Sequence, residues 1–551
     1  MTRKISILPA LSLAVVALAR EPVHARHAMV VAQEPLAADA GVRVLQSGGN
    51  AVDAAVAVGF ALAVTYPFAG NLGGGGFMLV RLADGHAGFI DFRERAPLAA
   101  THDMYLDSDG RPTRDSVAGW RASGVPGTVR GLELAHRRFG RMPWRDLVQP
   151  AVDLARDGFP LSWYGAKQIE DNAKLLARYP DSRRIFLGRS PGDKLVQPEL
   201  ASTLARIRDG GAGDFYEGRT AHLLADTMRQ NGGAITLEDL KLYRAVERQP
   251  LTGRYKGYEV ITSPPPSSGG VGILQMLAML EGTECDAGGA GSASEYHYLA
   301  EVMRRFYADR SNLGDPDFTR NPLVRLLDPA YIASRRASIQ ADQASDSNVI
   351  GPGAPPGVRE SSDTTHFNVV DAQGNAVAVT YTLNGGFGSG ITVPGAGFLL
   401  NNEMDDFAAK PGAPNMFGLV QGEANSIQPG KRPLSSMTPT ILTRDAQLAL
   451  VLGAPGGGRI INGVLQVIVN MADFGMNIQD AVDWPRVHHQ WKPDTLFVER
   501  GVSPDTVHAL EHMGYHVERS GSVALVQAVA VRDGWLEGAV DGRGSGKAAG
   551  Y

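Results

Sequence analysis

The chain has 551 residues, 44% of them apolar and 20% charged, enough to bury a large core in one domain or two. A formal net charge of −5 gives no reason to expect nucleic acid as a partner. The single cysteine, Cys285, excludes an intrachain disulfide and any cysteine-built metal cluster. It reads as an incidental residue beside a glycine-rich loop, with a reactive thiol as the alternative.

Met1 to Ala19 has the order of a secretory leader. Arg3 and Lys4 are basic, Ile5 to Val16 is mostly apolar, and Ala17-Leu18-Ala19 offers a small-x-small cleavage site. The alternative is an uncleaved apolar tail. No later stretch reaches about 18 uninterrupted apolar residues, so the expectation is an exported protein, periplasmic or secreted, with no membrane span.

Pro35 to Val64 is helical in pattern: Leu36 to Gln46 carries an apolar stripe, and Ala51 to Val64 is apolar almost all round, as in a helix stacked on a sheet in the interior. Gly70 to Gly76 has the glycines of a phosphate cradle but no following Gly-Lys-Ser/Thr. It is read as a close approach of backbones. Strands are predicted over Phe77 to Leu82 and Gly88 to Glu94, the second carrying Arg93. From Gly119 to about Ala300 the spacing is mainly helical, with helices over Leu132–Phe139, Trp144–Arg156, Leu200–Arg208 and Thr220–Gln230. Thr262 to Gly270 is a stiff Pro- and Ser-rich loop before a helix at Gly272–Leu280. Its serines lack a Gly-x-Ser-x-Gly elbow and are read as structural.

Asp342 to Ser362 is dominated by Ser, Asp, Gly and Pro and reads as exposed loop. Directly after it, Phe367–Asp371 and Asn375–Thr382 form a hairpin pattern around Ala372-Gln373-Gly374. If Asp371 faces Asn375, Thr364 comes opposite Thr382. Threonines are ordinary strand residues. A cut before Thr364, however, would give one residue both a hydroxyl nucleophile and a free amine as its base.

Beyond the hairpin, Gly397–Asn402 is predicted as a short strand leading into Glu403 and Asp406. These acids are discounted as metal ligands, because no spaced set of hard ligands surrounds them. Phe407 to Leu434 is a Gly/Pro-rich loop of lid length. Gly456-Gly457-Gly458 follows the strand Leu448–Leu452 and is either a plain strand-to-helix turn or a set of amides open to a ligand. His488-His489 would point apart on a strand or a helix, which favours structural roles over a metal pair. Leu525–Val531 and Trp535–Val540 form a terminal hairpin that closes a sheet.

Four motifs, Asp363-Thr364-Thr365-His366-Phe367, Asn401-Asn402-Glu403-Met404-Asp405-Asp406-Phe407, Lys431-Arg432-Pro433-Leu434-Ser435-Ser436-Met437 and Gly453-Ala454-Pro455-Gly456-Gly457, resemble those of the gamma-glutamyltranspeptidases. The resemblance spans almost the whole chain from about Ala28. It implies an α+β fold, the four-layer αββα sandwich of N-terminal-nucleophile hydrolases. It also implies a precursor that cuts itself between Asp363 and Thr364. Residues 20–363 would form a large subunit ending in the exposed linker 342–363, and residues 364–551 the small one.

The implied activity is transfer of the γ-glutamyl group of glutathione and related compounds to water or to amino-acid or dipeptide acceptors, without a metal or cofactor. Thr364 would be the nucleophile, Thr382 its hydrogen-bond partner, and the amides of Gly456 and Gly457 the oxyanion hole. Arg93 (in Asp-Phe-Arg), Ser435 and Ser436 would take the donor carboxylate. Asn384, Glu403 and Asp406 would take its ammonium. One departure is Phe417 in the lid, where family members carry a tyrosine. Two rivals stand beside this reading: a cephalosporin (glutaryl) acylase of the same fold, and a binding protein that never matures.

Overall fold

The computed structural model describes residues 20–351 and 364–551. The stretch read as a leader, Met1 to Ala19, and the second half of the linker, residues 352–363 with Asp363, lie outside the described residues.

Two seven-stranded antiparallel sheets pack face to face. One runs in the spatial order Val23–Ala25, Trp535–Val540, Gln527–Arg532, Gln447–Gly453, Thr440–Arg444, Tyr258–Thr262, Leu251–Tyr255. The other runs Lys547–Gly550, Met29–Ala32, Thr365–Val370, Ala376–Thr382, Gly75–Arg81, Ala87–Asp91, Val246–Arg248. Successive side chains of a strand point to opposite faces, and the core divides accordingly. Val30, Met78, Val80, Val377 and Val379 face an outer layer of helices that includes Pro35–Gln46, Ala51–Thr65 and Thr128–Phe139. Met29, Val31, Phe77, Leu79, Ala376 and Ala378 face the opposite sheet, which is covered outside by Gly269–Leu280 and Arg459–Ala472. This is the α+β, αββα arrangement expected.

The helix Ala51–Thr65 is buried along its whole length. Asn50 starts it with a capping box, its side chain accepting from the Val52 and Asp53 amides while Asp53 accepts from the Asn50 amide. Asp371, at the hairpin turn, accepts from the Ala51 amide at 2.9 Å and so ties this helix to the central hairpin.

The hairpin register is the expected one: Thr365 pairs with Tyr381, Phe367 with Val379 and Val370 with Ala376. Gly374 takes φ 84°, the left-handed conformation for which glycine suits the loop. Three strand expectations need correction. The strand bearing Arg93 ends at Asp91, because Asp91 turns its carboxylate back onto the Arg93 amide (2.9 Å) and onto Arg248. Gly397–Asn402 is no strand; Leu399 and Leu400 make only isolated bridges, to Thr392 and Gly73. The terminal hairpin lies inside its sheet, and Val23–Ala25 takes the edge beside it. The close backbone approach expected at Gly70–Gly76 is present: a Cβ on Gly74 would lie 2.0 Å from the Thr382 carbonyl.

Candidate active site

Thr364 stands at the mouth of the hairpin, one residue before the strand Thr365–Val370, and is buried. Thr382 ends the partner strand, and its hydroxyl accepts from the Asn384 amide at 2.8 Å. Both threonines line one pocket with Arg93, Asn384, Glu403, Asp406, Ser435, Ser436 and Gly457. Residues spread over more than 360 positions thus meet at the end of the sandwich. Of the predicted site residues, Gly456 is one position behind the lining and Asp363 lies outside the described residues. The pocket also takes in Arg310, Gly458, Leu419, Met437, Ile460 and the lid residue Phe417.

His366, in the motif Asp363–Phe367, is not among the residues that line the pocket. Its ring fills the space between the sheets, bonded to Thr380 and Asn368 and lying where a Cβ on Gly453 would be. Burial drops its pKa to about 3, so it is neutral there.

Arg93 is fully buried and held from every side. Its Nη1 donates to Glu403 Oε1 and its Nη2 to Asp406 Oδ2. Its Nε donates to the Pro433 carbonyl at 3.2 Å, and Tyr243 donates to its own carbonyl at 2.8 Å. The planar fork of arginine is what lets one side chain engage two carboxylates and a carbonyl together. Burial works to lower its pKa, but Glu403, Asp406 and Glu94 outweigh that and keep it charged.

The carboxylates pay for their position. Glu403 is pushed well above the usual range by burial, against the pull of Arg93. Glu94, 3.6 Å from Arg93 and equally buried, is pushed up to about 7 by the same cause. A carboxyl at 4.5 unfolded and about 7 folded contributes stability that is complete below pH 4.5 and lost as the pH rises through 7. Glu94→Gln removes this loss. The variant is expected to gain thermal stability relative to the parent between pH 5 and pH 8. Melting curves at the two pH values check it; an equal offset at both would show that Glu94 is ionised throughout.

Asn384 adopts φ 78°, a left-handed conformation that asparagine tolerates better than most side chains. Its side-chain Nδ2 donates to the Asn402 carbonyl at 3.0 Å. Ser435 and Ser436 sit over the Pro- and Ser-rich loop: Ser268 donates through both its amide and its hydroxyl to the Ser435 carbonyl (2.8 Å each), and the Ser435 amide donates to the Pro266 carbonyl. The structural reading of that loop therefore holds, and what it supports is a wall of the pocket.

Gly456 (φ 143°) and Gly457 (φ 54°) make the turn into the helix Arg459–Ala472. A side chain on Gly456 would press on Ala524 at about 3 Å. Tyr307 donates to the Gly458 carbonyl and fixes the turn from outside. The amides here belong to the start of a long helix, a place that favours negative charge.

The lid is anchored to the acids beneath it. The Met416 amide donates to Asp405 at 2.8 Å, Asn415 donates to Asp406 at 3.3 Å, and Gln490 holds the Phe417 and Gly418 carbonyls. Phe417 is buried against the pocket as an apolar wall.

His488 and His489 do point apart, the first to Asn462 and Gln490, the second to Asp494. Among the described residues no His, Cys, Asp and Glu cluster has the geometry for a metal ion. Cys285 is buried, and burial pushes its thiol pKa up and away from reactivity.

A threonine one residue before a sandwich strand shares a charged pocket with the glycine turn Gly457-Gly458, an arrangement compatible with an acyl-transferring hydrolase of the N-terminal-nucleophile class. The comparisons place it more narrowly. The family model described as Gamma-glutamyltranspeptidase matches residues 37–551. A glutathione hydrolase proenzyme of Escherichia coli (strain K12) is 50% identical over 532 residues, covering 95% of this chain and 91% of its own. One from Pseudomonas sp. (strain A14) is 50% identical, over 90% and 88% of the two chains. Among solved structures, a cephalosporin acylase from Bacillus halodurans superposes with a TM-score of 0.86 at 27% identity, over 99% of both chains. The chain belongs to the gamma-glutamyltranspeptidase family.

Proposed function

We propose that this protein is a self-processing γ-glutamyltransferase and glutathione hydrolase in which Thr364 is the nucleophile. The observation that carries this is the meeting of Thr364 with Arg93, Asn384, Glu403, Asp406, Ser435 and Ser436 in one pocket. A γ-glutamyl donor presents one carboxylate and one ammonium beside the amide to be cut. Arg93, Ser435 and Ser436 suit the carboxylate; Asn384, Glu403 and Asp406 suit the ammonium.

Maturation comes first. The Thr364 hydroxyl attacks the Asp363 carbonyl, the acyl group moves from nitrogen to oxygen, and water opens the ester. This frees the Thr364 amine and divides the chain into residues 20–363 and 364–551. In turnover the Thr364 oxygen attacks the γ-carbonyl while its proton passes to that amine. The amides of Gly456 and Gly457 hold the oxyanion, each such donor typically contributing about 2.7–4 kcal/mol. The protonated leaving amine departs, and water or the amino group of an amino acid or dipeptide takes the glutamyl group from the ester. Thr382 holds the nucleophile in line. Export, with the leader removed after Ala19, puts this chemistry in the periplasm or outside the cell.

The likeness to a cephalosporin acylase gives one of the two rivals a footing. The acids around Arg93 favour the γ-glutamyl reading, because a glutaryl donor has no ammonium to meet Glu403 and Asp406. The expected result is a kcat/KM at least about 10-fold higher for γ-glutamyl-p-nitroanilide than for glutaryl-p-nitroanilide, the scale of one charged hydrogen bond. Equal or reversed preference would replace this reading with the acylase.

A further inference from the structure

The pocket holds a second arginine that the sequence reading did not single out. Arg310 ends the helix Ala293–Arg310 and is buried. Its Nε donates to Ser268 Oγ at 2.9 Å and its Nη2 to Ser436 Oγ at 3.2 Å. Its Nη1 has no hydrogen-bond partner among the described residues.

The other fully buried arginines set the standard. Arg93 is matched by Glu403 and Asp406, Arg304 by Glu301 and Asp494, Arg305 by Glu301, Arg432 by Asp91 and Asp317, and Arg486 by Asp541. Arg310 has two hydroxyls and, among the described residues, no carboxylate within ion-pairing distance. A buried cation without a counter-charge is costly, and proteins hold one where something else supplies the anion. Burial drags the guanidinium pKa down to about 10, helped by the charge of Arg93 and opposed by Tyr307 and Asp406.

The two arginines therefore contribute differently. Arg93 offers a donor carboxylate a fork whose charge is already shared with two acids. The charge of Arg310 is unmet, and it lies behind Ser436, the residue that faces the donor carboxylate. We infer that Arg310 is a specificity-determining residue, whose unmatched positive charge and free N–H select donors bearing a carboxylate next to Ser436. This rests on the function proposed above.

The test uses three p-nitroanilides with the full-length, mature enzyme: γ-glutamyl, glutaryl (carboxylate without ammonium) and 4-aminobutyryl (ammonium without carboxylate). Arg310→Met is expected to lower kcat/KM about 10–100-fold for the two donors that carry the carboxylate, chiefly through KM, the range for a hydrogen bond to a charged group. It should leave the 4-aminobutyryl donor within about twofold of the parent, at enzyme concentrations that make single turnover measurable. A loss shared equally by all three donors would make Arg310 a packing residue and overturn the inference, as would no loss for any. If Arg310→Met fails to mature, Arg310→Lys carries the same comparison, and a donor-independent effect there overturns it equally. A parent enzyme that prefers the glutaryl donor would sink the proposed function but not this inference, because the glutaryl arm still reads the carboxylate.

Discussion

Thr364→Ala is expected to remain one chain of full length and to show no γ-glutamyl activity, a loss of about 10⁴-fold or more. Two separate steps need the same oxygen: the attack on the Asp363 carbonyl and the attack on the donor. Thr364→Ser keeps the oxygen but loses the methyl group that restricts its rotamer, so it should still divide, more slowly. A denaturing gel separates these outcomes. N-terminal sequencing of the parent protein should read two starts, Arg20 and Thr364. Two fragments from Thr364→Ala with a new start at residue 364 would show that some other group does the cutting.

Arg93→Lys should raise KM for γ-glutamyl donors about 10–100-fold while the precursor still matures. Lysine keeps the charge in a buried place, where deleting it would leave Glu403, Asp406 and Glu94 without a cation. A single ammonium cannot reproduce the fork that reaches Glu403, Asp406 and the Pro433 carbonyl together. The acids would then sit less well for the donor ammonium, and the donor carboxylate would lose a planar partner. Unchanged kinetics with maturation intact would reduce Arg93 to a structural residue.

The strands and buried helices of the sandwich were readable because their signals are local. The alternation either side of Ala372-Gln373-Gly374 set the register of the central hairpin, and the almost wholly apolar run of Ala51–Val64 announced a buried helix. The pocket was readable through four motifs that resemble those of the gamma-glutamyltranspeptidases, and the proposed zwitterionic donor suits their residue types. Arg310 was not. It ends a helix whose Arg304, Arg305, Asp309 and Arg310 are all buried, whereas charges at such spacing ordinarily mark a solvated face. Only the fold brings Ser268 and Ser436, 42 and 126 residues away, to meet it. The end of the strand before Arg93 was missed for a related reason, since one of the two partners that hold the Asp91 carboxylate at that turn, Arg248, is distant in sequence.

The order of strands bears on what the proposed division before Thr364 would leave. In one sheet, Met29–Ala32 from the first fragment is hydrogen-bonded on one side to Lys547–Gly550 and on the other to Thr365–Val370, both from the second. In the opposite sheet, four strands of the second fragment are flanked by Val23–Ala25 on one edge and by Tyr258–Thr262 and Leu251–Tyr255 on the other, all from the first. The halves are thus threaded through each other, with no face along which they part. Dissociation would require breaking the ladders of both sheets and opening the shared interior, so it is the same event as unfolding. Such a pair would not exchange partners at equilibrium as ordinary heterodimers do. Each molecule would keep for life the other half that was made with it.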